Sequence, residues 1–511
     1  MTGKRIAIFG LGRSGLAIGR AALELGATPH VFDQKKLEDL PKRDAYDEAI
    51  AAGIEVTLGW DGTFDTSEID LIVTNPAVDR RHPALAKAIQ DSIEVISEVE
   101  FAYRISQAPI VAITGTNGKS TTTVMTYLCL KACGEQPVLC GNIFGSGYDE
   151  VPMTEAALHS TPEQTLVVEV SSFQLEWVKF FKPVAAGITN IWPDHLDRYT
   201  GFEEYAAAKQ RLFERMNCED YVVVKANDPV VVAPGGRSSA YRLRRLRISG
   251  GASVVAESIP TVLSFGATGE HAKVEEQALQ ILNQRVRLDD LPFSEPHNYT
   301  NACMAALLAY GALKNRAWHE PDSHAASLLA TAEQRERHKV KASRTVYDGR
   351  LPEGPVAALP IEIVEGLKSF HGLAHRMEPL GEKGGVRVIN NSMCTNPDAV
   401  IKSAASVRDP AHLLIGGVNK GLDFKPLRHY LANHRHHAYL FGSDAKQLNE
   451  MLGGGYPIFD TMRQAFDEAT RNAVKGEVIM LAPGCASTDQ FRDFRDRGIV
   501  FKAMAKEWLS T

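Results

Sequence analysis

Between Pro109 and Thr123 the chain reads Pro-Ile-Val-Ala-Ile-Thr-Gly-Thr-Asn-Gly-Lys-Ser-Thr-Thr-Thr, an apolar strand running into a glycine-rich turn that ends in lysine and hydroxyl residues. These residue types at this spacing handle phosphate. Backbone N–H groups of Gly115 to Lys119 would cradle the oxyanions, the Lys119 ammonium would reach the terminal ones, and the Ser120 hydroxyl would hold Mg²⁺. ATP use is therefore the first expectation. The match to a Walker A loop is partial: Ile113 stands where the first glycine belongs, and Gly115 follows two residues later.

Three further positions add to it. In Leu166-Val-Val-Glu169-Val-Ser-Ser-Phe-Gln-Leu-Glu176 a carboxylate ends an apolar strand at the edge where open α/β sheets bind ligands. A buried carboxylate needs a cation or several donors to stay charged, so Glu169 is a candidate Mg²⁺ ligand, with a cap or salt bridge as the alternative. The loop Asn190-Ile-Trp-Pro-Asp194-His195-Leu-Asp-Arg198 follows the next apolar strand, and His195 is a candidate second ligand or an ordinary surface histidine. Finally, Phe202, Tyr205, Lys209, Leu212 or Phe213, and Met216 recur at helical spacing and place Lys209 on an apolar face. Such a lysine can snorkel, pair with an acid, or take up CO₂ as a carbamate that offers oxygen ligands to a metal.

The elements that must hold these groups form an α/β chain of two to four domains, as expected of 511 residues. Residues 5 to 33 read as strand, Gly10-Leu-Gly-Arg-Ser-Gly15, helix, and a second strand ending at Asp33, the βαβ layout of a dinucleotide or nucleotide site. An NAD-dependent oxidoreductase would show the same turn. A second α/β segment starts at Ile110, and a third, from about residue 373, places strands at Val386 to Ile389, Leu413 to Gly416, Ala438 to Phe441 and Val478 to Leu481. Residues 234 to 269, with the arginine run 242 to 247, and residues 314 to 355 read as solvated insertions; no interleaved aromatics favour nucleic acid there. A formal net charge of −6 gives no basic excess for nucleic acid. Seven scattered cysteines without a Cys-x-x-Cys pair predict reduced thiols in a cytoplasmic protein. The N-terminus enters a strand at once, which predicts neither a signal peptide nor a membrane span.

Taken in order, the Gly-Thr-Asn-Gly-Lys-Ser loop, Glu169-Val-Ser-Ser-Phe-Gln-Leu-Glu176, Asp194-His195-Leu-Asp-Arg, Ala207-Ala-Lys209, His297-Asn298-Tyr-Thr-Asn301, His375-Arg376 and Ala486-Ser487-Thr-Asp-Gln-Phe491 resemble the Mur ligases of peptidoglycan synthesis. The resemblance spans the chain apart from the two insertions and is strongest to the members that join D-glutamate to UDP-N-acetylmuramoyl-L-alanine. It implies a monomer of three domains: a Rossmann-like UDP-substrate domain (1–107), a P-loop ATPase-like domain for ATP and two Mg²⁺ (108–372), and a Rossmann-like amino-acid domain (373–511). Carried over by motif, Gly12, Arg13, Ser14, Gly15, Asp33 and Gln34 would meet the uridine diphosphate end and Asn142 the muramoyl end. Gly115, Thr116, Asn117, Gly118, Lys119, Ser120 and Thr121 would bind ATP with Asn298, Asn301 and Arg376. Ser120, Glu169, His195 and a carbamylated Lys209 would hold metal. Thr395, Lys420, Ser487 and Phe494 would hold glutamate.

One departure stands out. Glutamate-adding members usually have Asp and Lys where this chain has Asn391 and Met393, so an acid and a base are exchanged together without change of net charge. That pairing predicts a compensated local rearrangement. L-glutamate or a folate-like acceptor, and a catalytically silent nucleotide-binding homologue, stand as alternatives.

Overall fold

The computed structural model describes residues 1–40, 43–195, 198–226, 228, 260–320, 322–343, 358–407, 409–419 and 421–511. The chain divides into two compact units, residues 1–144 with 148–371, and residues 145–147 with 372–511.

The first unit holds two sheets. Its amino-terminal sheet has five parallel strands in the order Glu55–Leu58, Thr28–Asp33, Arg5–Phe9, Leu71–Thr74, Glu94–Ser97. Arg5–Phe9 is central because Ile6 to Phe9 are apolar on both faces, as a strand covered by helices requires. Helix Arg13–Glu24 packs directly on the turn, and a Cβ at Gly15 would come within 2.1 Å of the Gly10 carbonyl oxygen. Only glycine permits that approach.

The second sheet runs Gln284–Arg287, Ala278–Ile281, Ala272–Val274, Thr261–Phe265, Tyr221–Lys225, Ala185–Ile188, Ile110–Thr114, Gln164–Glu169, Gln136–Gly141, Glu150–Val151. It is parallel from Thr261–Phe265 through Glu150–Val151, with antiparallel pairing only among the three strands from Ala272 to Arg287. Helices Lys119–Ala132 and Pro296–His319 pack on each other and on the sheet. Two expectations need correction here. Thr261–Phe265, assigned to a solvated insertion, is a sheet strand with Leu263 and Phe265 buried. Lys314 to His319 finishes the long helix, where buried Asn315 donates to the Glu219 carbonyl at 2.8 Å, and helix His324–Ser343 buries Ala325, Leu329 and Ala332. Polar composition hid a period of small apolar residues. The arginine run and residues 344–357 lie outside the described residues.

The second unit is a six-stranded sheet ordered Glu378–Lys383, Val386–Asn390, Val478–Gly484, Ala411–Gly416, His437–Phe441, Ile458–Phe459. All pairings are parallel except that of the edge strand Glu378–Lys383. Apolar clusters cover both faces, one around Leu413, Ile415 and Phe424 and the other around Leu414, Phe466 and Phe501. All seven cysteines are free thiols, and all but Cys218 are buried. No helix among the described residues is long and apolar enough to cross a membrane.

Candidate active site

Strand Ile110–Thr114 lies between Ala185–Ile188 and Gln164–Glu169, in register Thr114 to Ile188 and Ile113 to Glu169. The loops after three neighbouring strands therefore open at one edge, the crevice where α/β sheets bind ligands. Gly115 and Gly118 take φ of +149° and +81°, and a Cβ on Gly115 would strike the Thr189 hydroxyl at 1.9 Å. The loop is stapled from the side. Asn190 accepts the Thr116 amide at 2.9 Å through its carbonyl and the Asn117 amide at 3.1 Å through its side chain, while Thr189 Oγ1 and Asn190 Nδ2 donate to the Asn117 carbonyl at 2.6 and 3.0 Å. Two of the amides expected to cradle phosphate are thus committed to Asn190. Beyond them the first turn of helix Lys119–Ala132, capped by Gly118, has Ser120 and Thr121 as its second and third residues and leaves its first amides without intrahelical partners. Asn301 flanks that turn, since a Cβ on Gly118 would reach its Oδ1 at 2.6 Å, and Asn301 donates to Asn298 at 3.2 Å.

Lys209 is 2% exposed and does not snorkel. Its Nζ donates to the Gly115 carbonyl at 2.9 Å and lies 4.7 Å from the centre of the Tyr205 ring, whose hydroxyl is 3.0 Å from Thr116 Oγ1. Burial pushes the Lys209 amine well below its usual range, the Lys119 charge pushes the same way, and Asp194 and Glu169 oppose them. Lys119 donates to the Thr116 carbonyl at 2.9 Å. Glu169 is 3% exposed; Oε1 accepts from Asn142 Nδ2 at 2.9 Å, whereas Oε2 is buried with no hydrogen-bond partner. A buried carboxylate oxygen without a hydrogen-bond partner fits a cation. His195 sits at φ +54°, its amide donating to Asp194 Oδ1 at 2.9 Å and its ring edge-on to Phe173 at 4.8 Å. Among the described residues no third imidazole, thiolate or carboxylate joins Glu169 and His195 in a ready-made cluster. Leu196 and Asp197 lie outside them.

In the amino-terminal sheet, Asp33 accepts the amides of Leu11 and Lys35 at 2.7 and 2.9 Å, tying the glycine turn to the next strand, and Gln34 Nε2 is 3.1 Å from His82 Nε2. Arg13 donates to the Glu150 carbonyl at 2.6 Å, and Ser14 bonds the buried Glu98 carboxyl, which burial raises above its usual range. In the second unit, the loops after Val386–Asn390 and Val478–Gly484 carry Thr395 and Ser487, with Phe494 opening the last helix. Beneath them Arg497 is 0% exposed, donating from Nε and Nη2 to the Ser392 hydroxyl and carbonyl at 3.1 and 2.9 Å and from Nη1 to the Cys485 carbonyl at 3.1 Å. Burial lowers this guanidinium to about 10. Lys420 lies outside the described residues.

Family models match three successive segments: a Mur ligase MurD-like N-terminal domain over residues 4–97, a Mur ligase middle domain over 113–309 and a Mur ligase glutamate ligase domain over 375–485. The UDP-N-acetylmuramoylalanine–D-glutamate ligase of Caldanaerobacter subterraneus subsp. tengcongensis is 32% identical over 98% of this chain and 97% of its own. The chain belongs to the Mur ligase family. It is accordingly an ATP-dependent amide ligase. The ligase of the same name from Pelotomaculum thermopropionicum is likewise 32% identical over 98% of this chain and 97% of its own. Among solved structures, the UDP-N-acetylmuramate-alanine ligase MurC of Thermotoga maritima superposes with a TM-score of 0.51 at 17% identity, covering 98% of this chain and 99% of that one, a likeness of fold.

In this Mur ligase the exchange at Asn391 and Met393 has a local account. Asn391 Oδ1 accepts the Met377 amide at 3.1 Å and Nδ2 donates to Ser403 Oγ at 2.7 Å, while Arg376 Nη2 donates to the Met393 sulfur at 3.1 Å. Ser403 already donates to the Ala399 carbonyl, so an aspartate at 391 would meet an oxygen with no proton to offer. Lysine at 393 would set an ammonium against the Arg376 guanidinium. Each of Asn391→Asp and Met393→Lys should cost about 1–2 kcal/mol, and the double variant should recover about 1 kcal/mol of the sum, measured by urea unfolding of the four-variant cycle. Additive costs would refute the coupling.

Proposed function

We propose that this Mur ligase joins the amino group of D-glutamate to the carboxylate of UDP-N-acetylmuramoyl-L-alanine, cleaving ATP to ADP and phosphate. The observation that carries the reading is the water-stripped Lys209 amine beside Lys119 and the unpartnered oxygen of Glu169. An uncharged buried amine adds to CO₂, forming a carbamate N–C bond and releasing a proton, so a cation that repels metal becomes an anionic oxygen donor. The names of relatives with about 30% identity along nearly the full length support the substrates. Residues 1–107 would bind the UDP-sugar through the Gly12–Gly15 turn, Asp33, Gln34 and Asn142 of the next segment. Residues 108–372 would bind ATP, with Arg376 contributing, and residues 373–511 the amino acid.

Two Mg²⁺ ions, held by Ser120, Glu169, His195 and the Lys209 carbamate, would neutralise charge on the transferring phosphoryl group. The protein's own part is positioning. The Lys119 ammonium and the helix-turn amides hold the phosphate oxygens while a substrate carboxylate oxygen bonds to the γ-phosphorus and the bond to ADP breaks. That makes an acyl phosphate. The neutral amine of glutamate then bonds to the acyl carbon, loses a proton, and phosphate leaves from the tetrahedral intermediate. Thr395, Lys420, Ser487 and Phe494 would orient glutamate with its amine uncharged.

Phosphate release with UDP-N-acetylmuramoyl-L-alanine across D- and L-amino acids tests the assignment: D-glutamate should support turnover, and equal turnover with L-glutamate would overturn it. Lys420→Ala should raise the KM for glutamate on the order of a hundredfold, the loss of one charge-assisted contact of about 3 kcal/mol, with the KM for ATP nearly unchanged. An unaltered glutamate KM would show that Lys420 makes no contact with glutamate.

A further inference from the structure

At the opposite end of the second unit's sheet, three side chains converge that the ligase reaction does not use. His412 lies in strand Ala411–Gly416, directly across from His437 in strand His437–Phe441, and Glu477 immediately precedes strand Val478–Gly484. These three strands are neighbours in the order Val478–Gly484, Ala411–Gly416, His437–Phe441. The two imidazoles stack with centroids 4.9 Å apart, and one donor atom from each of His412, His437 and Glu477 lies within 4.8 Å of the others. His412 Nε2 is 2.9 Å from Glu477 Oε2, and its Nδ1 is 2.8 Å from the Tyr439 hydroxyl. Among the described residues this is the one such group of three metal-binding side chains.

We propose that His412, His437 and Glu477 bind a divalent transition-metal ion of the zinc class, which clips together the amino ends of three adjacent strands. Two imidazole nitrogens and a carboxylate oxygen are the donor set of a three-ligand zinc site, with water in the fourth place. The surroundings match what such ligands require. Tyr439 meets Nδ1 of His412 and holds the ring with Nε2 facing Glu477, the outer-shell support a ligating histidine normally has. The Val474 amide, donating at 2.9 Å, orients the Glu477 carboxylate. His437 is exposed, which gives the ion a path from solvent and leaves that ring room to rotate onto it. The seven residues of strand Val478–Gly484 put the site about 20 Å from the Ser487 edge, so the clip acts on the sheet and not on the reaction.

Chelator-treated protein in excess Mg²⁺ should take up one Co²⁺ with visible ligand-field absorption, release it to Zn²⁺, and melt at a higher temperature with Zn²⁺ than without. His437→Gln and Glu477→Gln should each weaken Co²⁺ binding at least about a hundredfold and erase the thermal shift, and Tyr439→Phe should weaken it about tenfold, the cost of losing an outer-shell partner. His434→Gln, a neighbouring exposed histidine outside the set, should leave binding intact. Both His437 and Glu477 are at least partly exposed, and circular dichroism of the metal-free variants verifies that they fold. Absence of Co²⁺ uptake in excess Mg²⁺, or uptake indifferent to both His437→Gln and Glu477→Gln, would overturn the site.

Discussion

Lys209→Ala should abolish ligation, lowering turnover by three orders of magnitude or more, while the protein stays folded. On the proposed function a Lys209 carbamate would offer an oxygen near Glu169, whose Oε2 has no donor, at a place where the Lys119 charge leaves no room for a second cation. Losing an interaction made chiefly with the transferring phosphoryl group falls on kcat, and about 4 kcal/mol of lost electrostatic stabilisation corresponds to roughly a thousandfold. Stability should move the other way. The folded state depresses the Lys209 pKa, so an unmodified lysine there binds protons more weakly folded than unfolded, and its burden on stability is greatest at low pH. Lys209→Met should therefore raise the melting temperature in CO₂-free buffer, by an amount that shrinks as the pH climbs toward the ordinary lysine range. Small carboxylates should restore part of the activity to Lys209→Ala by filling the vacated oxygen position. Wild-type turnover in Lys209→Ala would remove the carbamate from the mechanism.

How far the residues themselves disclosed this site depends on what each one does. Glu169 stands at the carboxyl end of an apolar strand and Lys119 follows the glycine turn after another, where period and position announce a ligand edge, and Lys209 betrays itself as a cation in an apolar stripe. Asn190 carries no such mark. It is one polar residue in a loop, and only the fold shows that it holds the Thr116 and Asn117 amides. Asp194 likewise acts through its field on Lys209, a tertiary effect no spacing encodes. The same limit explains the misplaced insertions. Strand Thr261–Phe265 is short and is paired by distant residues, and helix His324–Ser343 buries alanines that composition counts as neutral. The histidine cluster at the far end of the second unit is scattered over sixty-six positions in sequence and meets only through strand register.

Arg497 is the residue that sequence reading passes over and the fold makes indispensable. In a helix that opens Phe-Arg-Asp-Arg-Gly, an arginine reads as solvated, yet this one is wholly buried and spends its guanidinium on the Ser392 hydroxyl and the carbonyls of Ser392 and Cys485. Those acceptors belong to the two loops that carry Thr395 and Ser487. Arg497→Met should leave all three without their donor, at about 1–3 kcal/mol apiece, offset by the guanidinium that no longer needs desolvating, for a net loss on the order of 4 kcal/mol in urea unfolding. Arg497→Lys retains the charge but can follow only part of a planar fork, so it should fall between the two. If Thr395 and Ser487 hold glutamate, folded Arg497→Lys should show a raised glutamate KM with the ATP KM unmoved, because the loosened loops lie in the amino-acid segment. Parallel rises in both KM values would assign Arg497 to general stability, and an unchanged unfolding midpoint in Arg497→Met would show that the loops hold themselves.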